Sequence, residues 1–102
     1  MHLIQILLPL YDNDGHAFPH EIYRAIGDEL VVRFKGLTAF SRSPAEGLWA
    51  PPGSETKRDD IVIFEVMTPL VDDAWWSDYR ESLEQRLRQK SIVIRTHAIR
   101  LL

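Results

Sequence analysis

The chain contains no cysteine among its 102 residues. Disulfide frameworks, zinc ribbons, iron–sulfur ligation, thiolate nucleophiles and thiol redox chemistry are excluded by that absence, and nothing requires an oxidising compartment. A basic excess is also missing: 12 Lys and Arg stand against 15 Asp and Glu, a formal charge of −3, whereas a general nucleic-acid binder carries clustered positive charge. No uncharged apolar run reaches the roughly 18 residues that a membrane-spanning helix needs. The apolar start, Met1 to Leu10, has no basic leader and runs into Tyr11 and the turn Asp12-Asn13-Asp14-Gly15. These features predict a cytoplasmic protein with neither a nucleic-acid nor a membrane partner. Phosphate loop, GxSxG elbow, HExxH pair and dinucleotide fingerprint are absent as well, and the sequence predicts no cofactor.

What is present suits one compact domain over residues 1–102, since 45% of the residues are apolar and 26% charged. Ile4, Ile6, Leu8 and Leu10 alternate with Leu3, Gln5, Leu7 and Pro9, a period of two with both faces largely apolar, which describes a central strand. After the Asp-Asn-Asp-Gly turn, Phe18-Pro19 opens a helix. Ile22, Ile26, Leu30 and Phe34 form its apolar face, Glu29 and Arg33 form an i, i+4 pair, and Gly36 is the expected C-terminal cap. A second strand is predicted over Leu37 to Arg42. Pro44 marks it as an edge or bulged strand, and the run from Pro51 to Arg58 reads as loop.

Asp60 to Thr68, apolar on both faces except at Glu65, is the second central strand. Asp72 or Asp73 caps a second helix, with Trp76, Tyr79, Leu83 and Leu87 as its apolar stripe, Glu84/Arg88 as an i, i+4 pair and Arg86, Arg88 and Lys90 at the negative end of its dipole. Ser91 to Leu102 alternates again as a final strand. The order β-α-β-β-α-β is the split βαβ plan of the ferredoxin-like α+β fold: a four-stranded antiparallel sheet, first and third strands central, two helices on one face.

That plan has a consequence for the sheet. The even set Ile4, Ile6, Leu8, Val62, Phe64, Val66, Ile92 and Ile94 is uniformly apolar and belongs under the helices. The odd set then faces away: Leu3, Leu7, Ile61, Ile63, Met67, Val93 and Ile99, interrupted by Gln5, Glu65, Arg95 and His97. Leaving those seven apolar side chains wet forfeits about 1.5–3 kcal/mol each, so a homodimer joined through its sheet faces is the expected cover.

The stretches Gly36-Leu37-Thr38-Ala39-Phe40-Ser41-Arg42-Ser43-Pro44-Ala45-Glu46-Gly47-Leu48-Trp49, Asp59-Asp60-Ile61-Val62, Glu65-Val66-Met67, Trp75-Trp76 and Tyr79-Arg80 resemble a family of small, uncharacterised bacterial proteins. At fold level the chain is similar to the dimeric α+β barrel superfamily, which includes cofactor-free monooxygenases, haem-degrading enzymes, lactone isomerases and ligand-sensing domains. The resemblance implies the fold and the dimer. It implies no catalytic residues, because no residue set of those enzymes maps onto this sequence.

Chemistry concentrates in two places. Glu65, Arg95 and His97, with Gln5, share the outward sheet face. Enclosed between two sheets they can bind an anionic or enolisable molecule, with His97 or Glu65 moving a proton and Arg95 stabilising negative charge; the simpler reading is a structural ion pair of Glu65 and Arg95 with His97 wet at the edge. Arg42, Glu46 and Trp49 join a cation, an acid and a broad aromatic surface in one loop, which suits either a lid over a ligand or a dimer rim. Trp75 and Trp76 are neighbours on a helix, about 100° apart, and cannot form one stacking platform. His16 and His20, with Asp12 and Asp14 nearby, straddle the helix start at Pro19, and no metal site is predicted. The predicted function is a homodimeric binding or regulatory module for a small anionic molecule, held by Arg42, Glu46, Trp49, Arg95 and His97. A cofactor-independent isomerase or monooxygenase with His97, Glu65 and Arg95 as catalytic candidates is the alternative, and the sequence leaves enzyme and non-enzyme both open.

Overall fold

The structure, a computed structural model, describes the backbone of residues 1–42 and 61–102, with side chains for residues 1–39 and 61–102. Its elements run β1 (His2–Pro9), α1 (His20–Phe34), β2 (Thr38–Arg42), β3 (Ile61–Thr68), α2 (Asp73–Arg86) and β4 (Val93–Ala98). The four strands form one antiparallel sheet in the order β2-β3-β1-β4. This α+β arrangement is compatible with the ferredoxin-like plan and puts β1 and β3 at the centre. Among the described residues, no helix is long and apolar enough to cross a membrane.

The period of two in the central strands decides which way the sheet faces. Ile4, Ile6 and Leu8 of β1 and Val62, Phe64 and Val66 of β3 are buried in one cluster with Ile26 and Leu30 of α1 and with Trp76, Leu83 and Leu87 at α2, so both helices cover the same face. Ile92, just ahead of β4, and the half-buried Ile94 complete that side. Each such side chain contributes about 1.5–3 kcal/mol on leaving water. The even set therefore lies under the helices as its pattern requires.

The helix ends depart from the expected chemistry in three places. Lys35, not Gly36, takes the left-handed conformation that closes α1 (φ 61°), and its N–H returns to the Val31 carbonyl at 2.7 Å. Glu29 and Arg33 do not pair with each other, because α2 offers both of them better-placed partners. Glu84 and Arg88 do not pair either: α2 ends at Arg86, Arg88 is left-handed (φ 52°), and the Gln89 N–H returns to the Glu84 carbonyl at 2.9 Å. The Glu84 carboxylate instead accepts from the Ile92 N–H at 3.0 Å, fastening the end of the helix to the start of the last strand. At the other end Asp72 caps α2 as expected, its carboxylate accepting from the Trp75 N–H at 3.1 Å.

Gly27 sits inside α1 facing the sheet, and a Cβ there would stand 3.2 Å from Leu37 Cδ2. Alanine needs only a small shift of that flexible side-chain end, but a larger residue has no room. Urea unfolding is expected to show a loss of about 1–3 kcal/mol for Gly27→Leu through overpacking, and about 2–5 kcal/mol for Ile6→Ala through the cavity left at a wholly buried position. An Ile6→Ala variant as stable as the parent contradicts the assignment of the even face to the core.

Candidate functional site

The odd residues of the central strands turn to the face that the helices leave open. Strand register places Thr38, Glu65, Gln5 and Arg95 in one row across β2, β3, β1 and β4. The Gln5 amide nitrogen donates to Glu65 Oε1 at 2.8 Å, and Arg95 Nε donates to Gln5 Oε1 at 2.6 Å. Both halves of one amide are thus used, and Gln5 separates the carboxylate from the guanidinium. Glu65 and Gln5 are half-buried, and Arg95 is exposed.

Apolar rows flank this polar one. On one side lie Ile63, Leu7 and Val93; on the other, Met67 and Leu3 stand in register with His97. Ile63 is only 2% exposed, Leu3, Leu7 and Ile61 are half-buried, and Met67 and Val93 are each 51% exposed. The face is thus less exposed than its composition suggests. His97 is exposed and stands one row from Arg95, about 7 Å along the strand by its rise. The structure brings together Glu65 and Arg95 through Gln5 and leaves His97 outside their hydrogen bonds. Glu46 and Trp49 and the side chain of Arg42 lie outside the described residues.

A second feature is a cleft of about 200 Å³ between α2 and the edge strand β4. Ile4, Val71, Trp76 and Ile94 supply apolar walls, and Asp73, Ser77, Arg80, Arg95 and Thr96 supply polar groups. Asp73, Ser77 and Arg80 follow the i, i+4, i+7 spacing that aligns residues along one stripe of a helix. Arg95 belongs to both features, lining the cleft while its Nε donates to Gln5 across the sheet. Arg80, Ser77 and Asp73 are not among the site residues expected from the sequence. Their helical spacing with Trp76 was the available signal, but that β4 runs beside this stripe is tertiary information.

The outer side of the helix pair is tied by aromatic and charged groups. Phe34 stacks on Trp76 (5.2 Å, 15°), Trp75 stacks on Tyr79 (4.8 Å, 13°), and the two tryptophans meet edge to face at 88°. Trp76 is core, as expected, and Trp75 is half-buried beside it. Arg33 lies over the Trp75 ring at 4.1 Å and 3.9 Å from Asp72. Glu29 accepts from the Tyr79 hydroxyl at 2.7 Å and from Arg86 at 3.0 Å. Partial burial raises the Glu29 pKa, but the hydrogen bonds from Arg86 and Tyr79 and the charge of Arg86 outweigh it and hold the carboxyl below its ordinary value. Burial, then the Glu29 carboxylate, pushes the Tyr79 hydroxyl up. These groups explain one another as a clasp between helices.

The turn after β1 gathers Asp12, Asp14 and His16, whose potential ligand atoms lie within 4.8 Å of one another. Its geometry has a structural cause. Asp12 Oδ1 accepts from the backbone N–H groups of Asp14 (2.9 Å) and His16 (2.8 Å), and Gly15 supplies the positive φ of 82°. The His16 amide is the largest reason that the Asp12 carboxyl is held below its ordinary range.

No family model matches the chain, and no curated protein does. Among solved structures, a phage SAM lyase in complex with S-methyl-5'-thioadenosine is similar in fold, with a TM-score of 0.61 over 94% of this chain and 79% of that one, at 10% identity. A likeness at that identity concerns the arrangement of strands and helices and carries no residue roles.

Glu29 has a lowered folded-state pKa, so its contribution to stability is present at neutral pH and is lost as the pH falls below the ordinary 4.5 and through the folded value. Glu29→Gln is therefore expected to flatten the acid limb of stability, by less than about 1 kcal/mol because the pair is exposed. Urea midpoints between pH 7 and about pH 3 check this, and parallel acid limbs for variant and parent contradict it.

Proposed function

We propose that the protein is a binding or regulatory module for a small organic acid, working as a homodimer joined through the open sheet face. The observation that carries the ligand reading is the cleft between α2 and β4. A pocket with apolar walls and a few convergent polar groups is the usual form of a small-molecule site. Here Ile4, Trp76 and Ile94 give the apolar lining and Arg80, Ser77 and Thr96 the polar lining; Arg95 also borders the cleft, but its Nε is turned to Gln5 across the sheet. A guanidinium fork recognises a carboxylate, and a flat hydrocarbon body suits the tryptophan wall. Asp73 in the same lining disfavours ligands with negative charge at both ends. Volume sets the size: about 200 Å³ suits a compact acid of roughly ten non-hydrogen atoms rather than a nucleotide.

The enzymatic alternative, with His97 or Glu65 as base, draws less support from the geometry. Glu65 and Arg95 are engaged by Gln5, and His97 is a row away at the edge. Arg42 at the end of β2, with Glu46 and Trp49, remains part of the proposal as a further set of ligand contacts, although β2 is the sheet edge opposite β4. Among the described residues expected to bind the ligand, Arg95 borders the cleft and His97 does not.

Thermal unfolding in the presence of a panel of small aromatic and aliphatic carboxylates tests the reading. At ten times its dissociation constant a bound acid adds about 1.4 kcal/mol, which raises Tm by about 6–10 °C for a domain of this size. Arg80→Ala is expected to abolish that rise while leaving the ligand-free Tm within about 2 °C, because its side chain is exposed. No rise with any acid, or a rise unchanged in Arg80→Ala, overturns the cleft as the site.

A further inference from the structure

We infer that the second copy covers the open sheet face across a two-fold axis running parallel to β1 above Gln5, so that Glu65 of each protomer stands opposite Arg95 of its partner. This rests on the dimeric reading above and goes beyond it by fixing which residues meet. Two sheets packed face to face lie about 10 Å apart with their strands aligned to within about 30°. A self-complementary dimer of aligned sheets then has two choices of in-plane axis, along the strands or across them.

The polar row discriminates between the two. An axis across the strands sets Glu65 over Glu65 and Arg95 over Arg95, two like-charge contacts in a space from which water is largely expelled. An axis along β1 sets each carboxylate over a guanidinium, because β3 and β4 flank β1 on opposite sides. Charges placed this way select the register of an interface even where they add little to its strength. The residue on the axis meets its own copy and therefore has to be self-compatible. Gln5, an amide with both a donor and an acceptor, satisfies that condition, whereas a charged residue there would oppose itself. The same axis brings the half-buried Leu7 against its own counterpart and covers Met67 and Val93, each 51% exposed in the single chain, while Ile63 in the same row is already buried.

The natural lack of cysteine makes the test direct. Gln5→Cys, Glu65→Cys and Arg95→Cys are prepared separately in the full chain and treated with a short bis-maleimide at a concentration where sedimentation gives twice the chain mass. Gln5→Cys is expected to link to itself; Glu65→Cys and Arg95→Cys are each expected to stay unlinked alone and to link when mixed. Self-linking of Glu65→Cys and of Arg95→Cys without linking in the mixture places the axis across the strands and overturns the inference while the dimer stands. Linking of Gln5→Cys to Glu65→Cys in place of itself shifts the axis off β1, and a dimer that links at none of the three positions meets through another surface; either result also overturns it. A wild-type chain that sediments at single-chain mass at tens of micromolar overturns the dimer as well. Independently of the linker, Glu65→Arg is expected to weaken the dimer about tenfold or more and Glu65→Arg with Arg95→Glu to restore it. A double variant as weak as the single one contradicts the pairing.

Discussion

The packing of Ile4, Ile6 and Leu8 of β1 beneath Ile26 and Leu30 of α1 and Trp76 and Leu83 of α2 is the contact on which the rest of the molecule depends. It fixes the register of the sheet, because a shift of one residue would carry every one of those side chains to the other face. Once it is fixed, Leu3, Gln5 and Leu7 have no choice of direction. Their partners on β3 and β4 follow by antiparallel pairing, and the row from Glu65 through Gln5 to Arg95 is assembled without any contact of its own being needed to specify it.

That derivation explains why Gln5 is the pivot of the open face. Side chains in adjacent strands stand about 5 Å apart, so residues two strands apart need an intermediary. The amide supplies one, accepting from Arg95 and donating to Glu65. An apolar residue at this position would leave the carboxylate and the guanidinium to find other partners. The helix side of the molecule solves a similar problem differently: there Glu29 is reached by Tyr79 and Arg86, about two turns apart on α2, and the aromatic rings around Trp75 occupy the space between the helices.

The fold was largely legible because its elements announce themselves locally. Alternation in β1 and β3 and the four-residue spacing of Ile22, Ile26, Leu30 and Phe34 carry a direction as well as an element type, and the even set came out buried. Pairings between side chains were less legible. Glu29/Arg33 and Glu84/Arg88 have the spacing of helix pairs, but spacing cannot show that α2 reaches Glu29 or that the helix stops at Arg86 with Glu84 turned to the Ile92 amide. Glu65 and Arg95 were placed on one face correctly, since parity decides that; the mediation by Gln5 depends on strand order and register. Of the cleft only the helical stripe is legible, because Arg80 and Thr96 become neighbours only when α2 is laid beside β4.

β4 forms one border of the sheet, with hydrogen-bonding groups along one side that no other strand among the described residues takes up. A border of that kind invites further strands and, unchecked, leads to open-ended stacking. Its six residues include Arg95, Thr96 and His97, all exposed, so an incoming strand would have to desolvate a cation and two polar groups to add there. The polar residues that stand out on β4 thus have a protective effect: they discourage growth of the sheet sideways into a ribbon.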